Sequence, residues 1–164
     1  MYQPTSYTLL VSSLRRRPKA MARMYGMGEN SMVRGEVLFY DTVYGVFVVA
    51  DIMGLPYASG KCRRAIYGFH IHDGQSGDSV SRSACLEEDV HYDPDECSHP
   101  YHALDLPLLF GVGERAFSAF LTDRFSISEM IGKTLIMHDS TEEFSSKLFG
   151  NSENSIACGL IRGQ

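Results

Sequence analysis

From Ala20 onward the chain alternates apolar and polar residues in short runs. That period of two belongs to half-buried β-strands, in which neighbouring side chains point to opposite faces. Residues 20–25 read as a first strand, and the Gly/Asn-rich segment 26–31 as a turn. Residues 35–40 (G-E-V-L-F-Y) and 43–53 (V-Y-G-V-F-V-V-A-D-I-M) are the strongest strand signals, rich in Val, Phe and Tyr. The polar pair Asp41 and Thr42 between them predicts a tight connection. Further strands are expected over 66–72, 115–121, 134–138 and 156–162. Residues 126–131 predict a short helical turn or a bulged connection. Segment 54–61 is a Pro/Gly/Ser loop, and 139–155 is a long polar loop. Residues 73–113 show little periodicity, and a loop of that length signals function or an outside constraint. Seven or eight short strands and almost no amphipathic helix predict an all-β fold, a β-sandwich or flattened barrel.

Residues 1–19 differ in character and read as an N-terminal extension, leaving 20–164 as one domain. A short helix is expected over 7–16, stopped before Pro18. One role open to the extension is to cover a sheet edge.

Composition narrows the function. The chain has 164 residues, is 44% hydrophobic and 21% charged, and carries a formal net charge of -5. This is the profile of a soluble globular domain. The basic cluster of Arg15, Arg16, Arg17 and Lys19 is too short to mark a nucleic-acid binder, so no nucleic acid is expected as partner. No apolar run has the length of a membrane span, so no membrane partner is expected. The short apolar stretch 7–11 precedes the basic residues instead of following them, unlike a secretory leader. Cytoplasmic residence is the expectation. The four cysteines, Cys62, Cys85, Cys97 and Cys158, form no C-x-x-C pair, which argues against a thiolate zinc cluster.

The chemistry sits in the histidines. Five of the six, His70, His72, His91, His99 and His102, fall between Phe69 and Asp105, and the sixth, His138, lies in the strand-like run T-L-I-M-H-D. On a strand, His70 and His72 project from one face while Ile71 points into the core. His99, His102 and Asp105 form H-x-x-H-x-x-D, two nitrogens and an oxygen that can close on zinc. His91 lies just upstream as a further nitrogen. Taken singly, each histidine is as readily an ordinary polar residue; their joint placement makes a two-site metal cluster the better reading.

These segments carry a family resemblance. G-F-H-I-H-D (68–73), C-x5-H-Y-D-P (85–94), H-P-Y-H-A-L-D-L-P (99–107), I-G-K-T-L-I-M-H (131–138) and I-A-C-G-L-I (156–161) stand in the order and spacing of the copper/zinc superoxide dismutases, nearest to the bacterial type. The resemblance implies a Greek-key, flattened eight-stranded barrel with two long functional loops. It implies copper and zinc as cofactors and superoxide as substrate. The copper ligands, and with them the catalytic residues, would be His70, His72, His91 and His138. The zinc ligands would be His91, His99, His102 and Asp105, with His91 bridging the metals. In the family the counterpart of His91 leaves copper and takes up a proton when the metal is reduced. Cys85 and Cys158 match the family's intrasubunit disulfide, leaving Cys62 and Cys97 to pair with each other or to stay free and inert as small apolar residues. Members of the family form dimers and monomers, so a homodimer stays open.

Three departures from the family pattern stand out. Ser155 occupies the position, three residues before the final-strand cysteine, where the family usually places an anion-attracting arginine. Glu153 adds a negative charge nearby, and Lys147 is the one substitute in the same loop. This predicts weakened substrate steering. Leu104 replaces a glycine between His102 and Asp105, which strains any backbone there that needs a positive φ. Glu142 or Glu143 stands where the family has an aspartate linking a copper histidine to a zinc histidine. Attenuated dismutation is therefore expected, and a copper/zinc storage or sensing protein with little activity is the alternative.

Overall fold

Alternation along each strand closes the chain around one core. The computed structural model describes residues 6–56, 65–72, 106–139 and 155–164. Eight strands form the wall: β1 (Ala20–Gly26), β2 (Arg34–Thr42), β3 (Gly45–Met53), β4 (Ile66–His72), β5 (Leu109–Val112), β6 (Arg115–Thr122), β7 (Thr134–Asp139) and β8 (Ser155–Gly163). They close into a barrel in the order β1-β2-β3-β6-β5-β4-β7-β8, every neighbouring pair antiparallel. The step from β3 to β4 passes over β6 and β5, and the return to β7 passes over β5 and β4. Such crossings are those of a Greek key.

One parity of each strand faces inward. Ala20, Ala22 and Met24 of β1, Val37 and Phe39 of β2, and Val48, Ala50 and Ile52 of β3 are at most 1% exposed. Phe69 and Ile71 of β4 and Leu135 and Met137 of β7 complete that side, all at 0%. Each large side chain so removed from water contributes about 1.5–3 kcal/mol. This core is the footing of β4 and β7.

The structure shifts three expectations. The β2–β3 turn falls at Val43 and Tyr44, not at Asp41 and Thr42, which still pair with Val46 and Gly45. The Thr42 hydroxyl decides this: it donates to the Gly45 carbonyl at 2.7 Å and accepts the Tyr44 N–H at 3.1 Å. Gly45 supplies the φ of 116° that the turn requires. Second, the aperiodic stretch 73–113 ends in a strand, β5. Its pattern is hard to see because only Leu109 of its four residues is buried. Third, the described part of the N-terminal extension, residues 6–19, meets no sheet edge, because the sheet closes on itself. The helix α1 (Ser6–Leu14) lies against β2 instead, and Arg15, Arg16 and Arg17 are exposed.

A second short helix, α2 (Ile127–Met130), leads into β7. Ser126 closes its start: its backbone N–H and its hydroxyl both donate to Glu129 Oε2 at 2.7 Å. Met130 is fully buried, and the Gly132 N–H donates to the Ile161 carbonyl, tying the approach of β7 to β8.

Candidate metal centre

The face of β4 and β7 opposite the core carries the histidines. Phe69 and Ile71 point inward, so His70 and His72 point outward together. In the β4–β7 ladder Gly68 faces His138, His70 faces Ile136, and His72 faces Thr134. His138 therefore lies on the same face, diagonal to His70. His70 and His72 are each only 7% exposed despite lying outside the barrel wall.

The three imidazoles converge. Ring centroids are 5.5 Å apart for His70 and His138, 5.8 Å for His72 and His138, and 6.5 Å for His70 and His72. One ring nitrogen from each lies within 4.8 Å of those of the other two. Such a spacing lets three neutral nitrogens address one ion, and an all-imidazole set suits copper or zinc. Nε2 of His72 is shielded from solvent, a buried nitrogen that a metal would engage.

The β7–β8 ladder adds a residue that sequence reading did not assign to this contact. Ile136 faces Cys158 and Met137 faces Ala157, but His138 faces Ser155, one residue beyond strict register. Ile156 is the extra residue of a β-bulge. Ile156 and Ala157 consequently both join the core, although they are consecutive. Ser155 is set beside His138, its Oγ 3.3 Å from Nδ1, and is 9% exposed. The sequence marks Ser155 only as the site of a missing arginine; a bulge leaves no mark in the alternation of a short strand. Further along β8, Cys158 packs with Ile136 and Met27 in a small apolar cluster.

A family model described as copper/zinc superoxide dismutase (SODC) matches residues 33–161. The chain belongs to the copper/zinc superoxide dismutase family. It is 29% identical over 163 residues to the Cu-Zn superoxide dismutase of Legionella pneumophila, with 94% of each chain covered. It is 26% identical over 173 residues to Cu-Zn superoxide dismutase 2 of Aquifex aeolicus, covering 96% of this chain and 94% of that protein. The resemblance read from the motifs is thus established, with both relatives bacterial. The eight-stranded barrel is the family's architecture, copper and zinc are its metals, and superoxide is its substrate.

Of the residues singled out in the sequence, the structure brings His70, His72 and His138 together. His91, His99, His102, Asp105, Cys85, Glu142 and Glu143 lie outside the described residues, as do Leu104, Lys147, Cys62 and Cys97. Among the described residues no helix is long and apolar enough to cross a membrane.

Proposed function

We propose that this chain is a superoxide dismutase in which His70, His72, His91 and His138 hold copper. In this reading His91 is shared with a zinc site completed by His99, His102 and Asp105, and residues 20–164 form the catalytic domain. The observation that carries it is the convergence of three imidazoles on one face of the β4–β7 ladder, in a chain of the dismutase family. Copper, when bound, supplies a one-electron couple, so that one superoxide is oxidised to oxygen and a second, with two protons, is reduced to hydrogen peroxide. The residues themselves do the rest. Strands β4 and β7 hold the nitrogens on a rigid, core-backed wall, and burial of His70 and His72 keeps water from competing for them. A bridge between Cys85 and Cys158 would tie the long loop to β8, beside the apolar contact of Cys158 with Ile136.

Turnover is proposed to be attenuated at capture. Ser155 is uncharged and lies beside His138. No cation at this position draws the superoxide anion inward, and electrostatic focusing is what lifts anion on-rates above the unaided value. That same feature favours a second reading, a metal-storing or metal-sensing relative with incidental turnover. Metal analysis followed by a superoxide assay on the copper- and zinc-loaded protein separates the two. Dismutation well above that of free chelated copper supports the enzyme. Copper bound at one equivalent with no turnover overturns it in favour of storage.

A further inference from the structure

We propose that Ser155 is a positioning residue: its Oγ accepts a hydrogen bond from Nδ1–H of His138 and so keeps Nε2 as the nitrogen offered to the metal. This rests on the reading of His138 as a copper ligand.

A neutral imidazole carries one proton on one of two nitrogens, and only the bare nitrogen can ligate. Whichever nitrogen takes a hydrogen bond from the protein therefore decides what the other can do. Ser155 Oγ lies 3.3 Å from Nδ1. A hydroxyl can donate or accept there, and the two cases have opposite consequences. If Oγ–H donated to Nδ1, the proton would sit on Nε2 and close that nitrogen to an ion. If Oγ accepts from Nδ1–H, Nε2 is bare. A metal shared with His70 and His72 through Nε2 of His138 fits only the second arrangement.

The backbone is built to place this hydroxyl. Without the bulge at Ile156, strict register would set Ile156 against His138, and Ser155 would move on to Asp139. The bulge turns Ile156 into the core and brings a polar side chain to the ring instead. His138 is partly buried, whereas His70 and His72 are buried. At 3.3 Å the contact is slightly longer than the usual range of about 2.7–3.2 Å, so its contribution to overall stability is small.

The test uses the full-length chain at a pH where the ring is neutral, comparing wild type, Ser155→Ala and Ser155→Thr. Long-range proton–nitrogen NMR on metal-free protein reads the His138 tautomer directly. Copper affinity and the copper(II) EPR spectrum of zinc-loaded protein read the consequence. Wild type is expected to carry the proton on Nδ1. Ser155→Ala should lose that preference, bind copper about tenfold more weakly and shift the EPR spectrum, and Ser155→Thr should restore all three. A wild-type proton on Nε2, or a tautomer unchanged in Ser155→Ala, overturns the proposal. His138→Gln separates the two levels. If it leaves copper affinity unchanged, the ligand reading falls and this proposal with it. If it weakens copper while Ser155→Ala leaves the tautomer unchanged, the proposal alone falls.

Discussion

His70 and His138 stand 5.5 Å apart, ring centroid to ring centroid, as diagonal neighbours of the β4–β7 ladder. The residue directly across from His138 is Gly68, which has no side chain to stand between the rings. If this pair grips one ion with His72, replacing either ring should weaken copper binding by more than about a hundredfold, beyond the loss typical of an outer hydrogen-bond partner. His70→Gln and His138→Gln titrated with copper in a competing chelator provide the measurement. Affinity within twofold of wild type in both would sink the three-imidazole site.

Steering makes a separate prediction. Installing a cation with Ser155→Arg should raise the dismutation rate about tenfold at low salt. The gain should shrink as ionic strength rises from about 0.01 to 0.15 M, because the screening length falls from about 30 to 8 Å. Ser155→Ala adds no charge and should show no such salt-dependent gain, which separates steering from loss of the contact with His138. A rate for Ser155→Arg that does not change with salt would contradict the charge argument.

The proposed bridge between Cys85 and Cys158 is open to peptide mapping. Non-reducing digestion should release the two segments as one linked peptide that separates on reduction. Replacing both cysteines by serine should lower stability by about 2–5 kcal/mol, read from denaturant midpoints. Recovering the Cys158 peptide unlinked, with a free thiol, would remove the bridge from the account.

Across the barrel wall, Arg115 grips Asp51 with two hydrogen bonds, Nε to Oδ1 at 2.7 Å and a second from Nη2 to Oδ2. The hydrogen bond from Arg115 holds the Asp51 carboxyl below its ordinary value of 3.8, against a smaller opposing effect of burial. A carboxyl lowered on folding adds stability above its unfolded pKa and loses it as pH falls through the folded value. Arg115→Gln should therefore lower the melting temperature slightly at neutral pH, and the difference should fade below pH 3.8. The effect is small because both side chains are substantially exposed to screening solvent. A difference that grows on acidification would refute the assignment.

Much of the barrel was legible because period-two alternation is a property of each strand by itself. The pattern around His70 and His72 shows two imidazoles on one face and Ile71 in the core, whatever the strand pairs with. Asp41 and Thr42 misled because polar residues usually mark turns, while here the Thr42 hydroxyl organises a turn made by Val43 and Tyr44. β5 was hidden because Leu109 alone carries its inward side.

The sequence by itself therefore determined seven of the eight strands, the family and the clustering of histidines, all of which reside in local pattern and motif. The tertiary structure decided which strands lie side by side, and so that His138 of β7 joins His70 and His72 of β4. It also decided the place of Ser155. The residue is ordinary in sequence, and only the slip in register between β7 and β8 sets it against the ring of His138. Register is a relation between two strands, and no single stretch of chain encodes it alone.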